Sequence, residues 1–561
     1  MSHRRWKVLP PAPTEYSAKM VGLPLLIAQL LYNRGISELP QAEAFLDIAE
    51  SLQGNPFLLP DMEKAVARVY HALLRGESIA IYGDFDADGI CGTALLAEGL
   101  SLLGGRTIPY IPRRDKEGYG LDFASLESLY QQGASLVITV DCGISNISEV
   151  EQAQKKGLDI IITDHHSVLD ILPPALAVID PKREDSAYPF SQLAGVGVAF
   201  KLLQALFHNL GKEEQLAEFL DIVALGTVAD MVPLLGENRY LVKRGLEVMS
   251  RTHRLGLQEM IHTAGLYLSR LDTNYISWIL APRLNASGRL DHALSSYRLL
   301  ITDSPEEARD LAQELEEKNT QRQQLTQEFL AKAKEQLAIS GVDSPLLIVG
   351  GEDYPSGIAG LIAGRLREEF YRPVIVLRQG QDISGGSARS IPEFDVTVAL
   401  KECRELLLRF GGHPTAAGFA LATKNLVPFQ QRLLHTAATQ LAGVELYPFL
   451  TIEAEIPLST INGRLFKLIE SFAPFGQGNP QPIFLSRRVK VLDYYTAGGE
   501  SQHLKLKLRQ GEMVWQGIGF NLGSLISEVT PEVDIVYNLA VDHWSGEDML
   551  TLNILDFAST P

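Results

Sequence analysis

Apolar and polar residues follow different grammars in successive stretches of the chain. Over residues 1–76 the apolar positions fall at helical spacing, as in GLPLLIAQLLYNRG and QAEAFLDIAESL, and predict an N-terminal helical cap. From Glu77 the period changes. SIAIYGDFDADG is a short apolar strand ending in acids and glycine, and ICGTALLAEGLSLLGG behind it has the pattern of a helix. The same order returns at SLVITVDCG, LDIIITDHH and ALAVIDPK. Short apolar strands alternating with helices predict a parallel α/β sheet over 77–303.

Residues 304–338 predict one long connecting helix. Ser304 suits its cap, Pro305 its first position, and Glu306 and Glu307 its positive end. Leu325, Phe329, Ala333 and Leu337 then follow at i+4 spacing. A second, smaller α/β unit is expected over 339–443, opening with PLLIVG. Beyond it, 444–561 alternates with period two in HLKLKLRQ and MLTLNILDF between glycine-rich turns, the pattern of a small β-barrel.

Composition adds limits. A chain of 561 residues exceeds one core, and its 46% hydrophobic and 21% charged content is that of ordinary globular domains. Cys91, Cys142 and Cys403 are scattered without a CxxC pair, which disfavours a disulfide framework or a zinc ribbon and suits a reducing cytoplasm. The basic start, MSHRRWKVLPPAP, runs into prolines rather than an apolar signal core, and the apolar run at 23–31 is too short to cross a bilayer. A soluble cytoplasmic protein without a membrane partner is expected. The net charge of −18 argues against a general coat for polyanions. A local basic groove remains open, and clustered carboxylates can belong to a metal site.

The acids fall in a pattern. Asp84, Asp86 and Asp88 follow one apolar strand, Asp141 follows the next, and Asp164, His165 and His166 follow a third. In a parallel sheet these strand ends share one edge, where open α/β folds bind ligands. Asp230 lies inside the apolar run VALGTVADMVP, where an unpaired charge is costly. A lone aspartate at a strand end is ordinarily a helix cap or turn former. Four such places together with a DHH triplet favour divalent cations, which neutralise the mutual repulsion. Mixed imidazole and carboxylate donors suit manganese, with magnesium as the alternative. Two ions about 4 Å apart would polarise a phosphoryl oxygen and activate water. Cys142, beside Asp141, is read as packing.

GDFDADG, TVDCGIS, ITDHH and GTVADMVPL resemble, in order, the motifs of the DHH phosphoesterase superfamily. YPFSQLAGVGVAFKL, APRLNASGRLD, GGSARSI, FGGHPTAAGF and PFGQGNPQPIF resemble its RecJ branch. The resemblance implies a DHH catalytic domain, a DHH-associated domain and an OB-fold around a channel for single-stranded DNA. It implies a 5′→3′ exonuclease of repair and recombination that releases 5′-mononucleotides by two-metal-ion hydrolysis. Metal ligands would be Asp86, Asp88, Asp141, His165 and Asp230, with Asp84 and His166 as catalytic neighbours. Tyr82 stands where some superfamily members carry a histidine ligand, which disfavours pyrophosphatase-like coordination.

GGSARS reads as a glycine-rich turn able to aim amides and a guanidinium at a phosphate. The resemblance makes Ser387 and Arg389, with Arg289 and Arg114, a pocket for the 5′-terminal phosphate. His413 of the GGH element would approach the substrate, and Arg283 is a lesser candidate. Over 481–510 six cations face two acids, a local +4 that includes Arg487, Arg488, Lys505 and Lys507. Tyr494, Tyr495 and Trp515 nearby could stack on bases, although a solvated strand face would show the same charges. GVGVAF is read as helix packing. No GxxxxGK[ST], HExxH or GxSxG is present. Single-stranded DNA is the expected partner of a monomeric enzyme, with a single-strand-binding protein or a helicase as protein partners. The rival readings are a nuclease for short RNA or cyclic dinucleotides and a catalytically inactive replication scaffold.

Overall fold

A computed structural model describes residues 5–48, 52–114, 116–542 and 549–559. The chain divides into two compact units. The larger holds Trp6–Leu284, Ala293–Ala312 and Phe449–Pro561, and the smaller holds Asn285–His292 and Gln313–Pro448 together with Arg5.

Five parallel strands build the sheet of the larger unit, in the order Arg106–Tyr110, Ser78–Gly83, Ala134–Val140, Asp159–Thr163, Ala177–Ile179. Their apolar runs are continuous because both sheet faces are covered. Ile79, Ile81, Leu136, Ile138, Ile160 and Ile162 are all fully buried. The chain leaves Ser78–Gly83 toward one edge and returns on its other side with Ala134–Val140. That reversal is a topological switch point, and it opens a crevice beyond the carboxyl ends of these two strands. Asp84 and Asp141 follow those ends directly.

The same unit also holds a closed barrel. Phe484–Ala497, His503–Gln510, Met513–Gly519, Met549–Ser559 and Glu532–Asp542 pair in that order, and the last strand pairs back to the first. Alternation sets its two faces. Leu504, Leu506 and Leu508 fill the interior, whereas Lys505, Lys507 and Arg509 turn outward. The segment expected to be one N-terminal cap is divided. Helices Thr14–Lys19, Leu25–Asn33 and Leu39–Asp47 share a single core with the barrel, where Ile27, Leu30 and Leu31 meet the cluster of Leu458, Phe472 and Phe484. Helices this short cannot bury their apolar stripes alone. Met62–Arg75 instead leads through the left-handed Gly76 into the first sheet strand.

The helix Pro305–Ser340 carries the chain into the smaller unit, and the Ser304 hydroxyl accepts the Glu307 N–H at 3.3 Å as its cap. There a five-stranded sheet runs Leu407–His413, Ala416–Ala422, Ile383–Arg389, Val374–Arg378, Leu347–Gly351, antiparallel except for the last pair. GGSARS is therefore part of a central strand and not the expected turn. Its glycines serve close packing: a Cβ at Gly386 would lie 2.7 Å from the Phe419 ring and 2.8 Å from the Val376 carbonyl. The fold is thus mixed α/β with a five-stranded parallel sheet, a smaller α/β unit and a closed five-stranded barrel.

Candidate metal centre

Each acid of the cluster is placed by a local backbone device. Asp86 is the N-cap of helix Ala87–Leu102, and its Oδ1 accepts the N–H of Asp88 at 3.0 Å and of Gly89 at 3.2 Å. Capping uses one oxygen and leaves the other available, so the cap and ligand readings are compatible. Asp88, in the first turn, accepts N–H groups from Gly195 at 2.6 Å and Val196 at 2.9 Å, one on each oxygen. Asp141 sits just past its strand with φ 62°, and Met231, after Asp230, has φ 61°. Such left-handed non-glycine residues gather where a site dictates the backbone. Asp230 is the C-cap of helix Leu220–Ala229.

These devices converge. His165 Nε2 lies 3.0 Å from Asp141 Oδ1 and 3.5 Å from Asp230 Oδ2, and His166 Nδ1 lies 3.7 Å from Asp141 Oδ1. Three sets each bring their donor atoms within 4.8 Å of one another: Asp84, Asp86 and Asp141; Asp88, His165 and Asp230; Asp141, His165 and His166. Asp141 and His165 each belong to two sets. All seven residues expected at the centre are brought together.

The electrostatics call for positive charge. Burial first, then the charge of neighbouring aspartates, holds Asp84, Asp88, Asp141 and Asp230 above the usual carboxylate range, with Asp88 pushed up to about 7. Oδ1 of Asp84 and Oδ2 of Asp230 are buried and accept no hydrogen bond among the described residues. Buried carboxylate oxygens without donors, grouped with imidazole nitrogens, fit divalent cations.

Asp164, the first letter of the DHH triplet, plays a different part that sequence reasoning left unassigned. Its Oδ1 accepts the backbone N–H of His165 at 2.7 Å and of His166 at 3.1 Å and lies 2.8 Å from His166 Nδ1, while Oδ2 accepts the Ile144 N–H at 3.0 Å. Burial pushes its carboxyl up, but the His166 bond and charge prevail and leave it at about 2. His166 is raised in return: burial opposes its charge, and Asp164 outweighs burial. Tyr119 was also missed, because GYGL reads as a turn. Its hydroxyl donates to the Asp141 carbonyl at 3.3 Å and lies 3.1 Å from His166 Nδ1. Cys142 is buried packing as expected, and the buried Tyr82 donates to the Gly120 carbonyl at 3.3 Å.

The outlying candidates separate by unit. In the larger, Arg114 lies over the Phe85 ring at 5.0 Å, within the GDFDADG segment, and Arg283 donates to the Ile279 carbonyl at 2.7 Å on its own helix. In the smaller, strand register sets Arg389 opposite Ala416, and Ala416 opposite His413, so Arg389 and His413 share a sheet face. Ser387 pairs with Gly418. Arg289 donates to the Gly357 carbonyl at 3.1 Å, and a Cβ at Gly360 would lie 2.9 Å from Arg389 Nη2. Both arginines therefore meet the first turns of helix Ser356–Phe370.

On the barrel the expected cations divide. Lys505 and Lys507 lie on the outer face, where the register sets Lys505 opposite the exposed Tyr495 and Lys507 opposite Asp493. Arg487 is ion-paired to Glu455 and Asp534, both at 2.9 Å, and the Arg488 N–H donates to Asp534 at a β-bulge. Trp515 is buried in the barrel core and is not a stacking surface. Among the described residues no helix is long and apolar enough to cross a membrane.

Comparison with known proteins agrees with this anatomy. Residues 78–227 match the DHH family N-terminal domain, 335–439 the DHHA1 domain and 452–556 the RecJ OB domain. The single-stranded-DNA-specific exonuclease RecJ of Bacillus subtilis is 35% identical over 99% of this chain and 71% of its own length. That of Escherichia coli is 34% identical over 95% of each. The crystal structure of RecJ from Thermus thermophilus in complex with Mn2+ superposes with a TM-score of 0.86 at 30% identity, covering 100% of this chain and 80% of that one. Domain order, full-length similarity and fold agree, and the chain belongs to the RecJ family of single-stranded-DNA-specific exonucleases.

Proposed function

We propose that the protein hydrolyses single-stranded DNA from the 5′ end and releases 5′-mononucleotides, with two divalent cations, manganese or magnesium, at the sheet edge. The observation that carries this reading is the sharing of Asp141 between two donor sets, since a carboxylate with two oxygens can serve a pair of neighbouring ions. Asp86, Asp88, His165 and Asp230 complete the donors. Bound there, the cations supply charge neutralisation for the phosphoryl oxygens and make water a better nucleophile at neutral pH.

The chain's own groups do the rest. Asp164 fixes the His166 ring and favours its charged form, so His166 can donate an N–H to a phosphoryl oxygen beside the cluster. Asp84, buried with an oxygen that has no donor, can orient the attacking water. Water adds to phosphorus, the bond to the 3′ oxygen of the terminal nucleotide breaks, and that oxygen takes a proton. Arg289 and Arg389, meeting one helix start together with Ser387 and His413 nearby on the sheet, support recognition of a terminal 5′-phosphate. Arg114 adds a cation beside the acidic segment.

Chemistry is assigned to 77–303, end recognition to 339–443 and strand holding to 444–561, where Lys505 and Lys507 face outward. The relatives' names support the substrate, and a monomer acting in DNA repair and recombination completes the reading. An enzyme limited to single strands requires a helicase or a single-strand-binding protein to expose them. Buried free thiols at Cys91, Cys142 and Cys403 suit the cytoplasm. The test uses oligonucleotides labelled at the 5′ or the 3′ end. With Mn2+, the 5′ label should appear at once as mononucleotide and the 3′ label only late. Turnover persisting in excess chelator, or the reverse order of release, would overturn it.

A further inference from the structure

The segment LAGVGVAF carries no metal donor and looks from sequence like ordinary helix packing. The structure places its start against the acids. Helix Gly195–His208 has Ala194 as its N-cap, with no side chain to satisfy the first amides. Those amides are satisfied by Asp88, through Gly195 N–H to Oδ2 at 2.6 Å and Val196 N–H to Oδ1 at 2.9 Å. Two successive amides thus grip both oxygens of one carboxylate, which fixes its plane while leaving a lone pair on each oxygen.

Gly195 also has no room for a side chain. A Cβ there would lie 2.5 Å from Asp141 Cβ and 2.8 Å from its Cγ and Oδ1. From the opposite flank, a Cβ at Gly226 would lie 2.9 Å from Asp88 Oδ1 and 2.8 Å from Val196 Cγ1. Two glycines on different helices therefore let backbone approach the acids, Gly195 beside both Asp88 and Asp141 and Gly226 beside Asp88. Gly197, one position beyond Val196, behaves differently. A Cβ there meets only Leu193 atoms at 3.5 Å and beyond, an ordinary contact.

We propose that Gly195 is a positioning residue for the metal centre: its amide, with that of Val196, orients Asp88, and its missing side chain sets the separation of Asp88 from Asp141, with Gly226 holding the other side. The proposal rests on the divalent-cation reading of the site. Donor groups outside the ligand sphere that orient ligands typically change affinity by about 10–100-fold.

The test is Mn2+ titration of the full-length, metal-stripped protein by calorimetry, beside its melting temperature in chelator. Gly195→Ala should raise the half-saturating Mn2+ concentration at least about tenfold, lower the chelated melting temperature because the added methyl group has no room, and regain turnover in millimolar Mn2+. Gly197→Ala should bind as wild type does. A folded Gly195→Ala protein that saturates at the wild-type concentration overturns the proposal, as does a Gly197→Ala protein weakened equally. Should Gly195→Ala fail to fold, Gly226→Ala decides by the same titration, and wild-type affinity in that variant overturns it. A wild-type protein that takes up no Mn2+ overturns the cation reading itself.

Discussion

The acidic sheet edge and the basic barrel face show opposite ways of presenting charge. At the sheet edge, Asp84, Asp88, Asp141 and Asp164 are buried, and their positions are dictated by caps, helix amides and a left-handed residue. On the barrel, Lys505 and Lys507 alternate with buried leucines, with Tyr495 and Asp493 opposite them on the neighbouring strand. Burying several carboxylates together is tolerated only where a cation offsets the repulsion, so that region carries chemistry in its geometry. A solvated cation costs almost nothing to keep, and its purpose shows only in what it contacts.

The sharpest break of this contrast is Asp141→Asn. Asparagine accepts the left-handed backbone as readily as aspartate, so the fold should persist. Turnover should drop by on the order of 10²–10³-fold or more, as when one preorganised charge contact is lost. Because a buried repelling carboxylate is removed, the metal-free protein should melt higher than wild type. A steady-state assay with Mn2+ and a melt in chelator read both signs.

A pH series tests the same region without mutation. Asp88 is raised in the folded, metal-free state to about 7, and burial with neighbouring acids raises Asp84, Asp141 and Asp230. A raised carboxyl favours the fold below its unfolded pKa and loses that advantage as pH climbs through the folded value. The chelated protein should therefore be more stable at pH 5 than at pH 8, by on the order of a few kcal/mol. Mn2+ should remove that slope, so its stabilisation grows with pH. Chelated melting that is flat or rises from pH 5 to pH 8 would count against a repelling cluster.

How much of this was legible depended on whether a signal was local. The strand-end aspartates and the DHH triplet could be read because apolar runs locate strand ends, and parallel topology then gathers them on one edge. The connector helix was legible from its cap and i+4 spacing. Three features were not. Gly386 looks like a turn glycine, and only the Phe419 ring across the sheet shows why no Cβ fits. Arg487 counts as a free cation until Glu455 and Asp534, both distant in sequence, come into contact with it. The first three helices look like a separate cap, yet their apolar stripes are buried in the barrel core. Each depends on a partner far along the chain.

The smaller unit offers an intermediate case, since Arg389 is partly buried and fixed by strand register. Arg389→Ala should lower the preference for a 5′-phosphate over a 5′-hydroxyl end by about 1.5–3 kcal/mol, the worth of one charge-assisted contact. Competition between the two kinds of oligonucleotide measures it. Unchanged preference would remove Arg389 from end recognition.

The smallest effect is expected on the barrel, and there the comparison can be sharpened within one surface. Deleting the barrel is a poor test, because helices Leu25–Asn33 and Leu39–Asp47 would lose the core that buries Ile27, Leu30 and Leu31. Point changes avoid this. Lys505→Ala with Lys507→Ala removes two outward charges from a strand whose inward leucines stay in place. If each cation contacts one phosphate, the slope of log affinity against log salt should shrink by about 1.4 on a long single strand. Affinity should fall a few-fold at moderate salt while cleavage of very short oligonucleotides persists. Arg487→Ala should do the reverse. Its guanidinium already lies between Glu455 and Asp534, so the salt slope should stay as in wild type and the fold should weaken by up to about 1 kcal/mol. If instead Arg487→Ala flattens the slope and the double lysine variant does not, the strand runs past the bulge at Arg488 rather than across the outer face of His503–Gln510. The ion pairs of Arg487 would then be what DNA displaces.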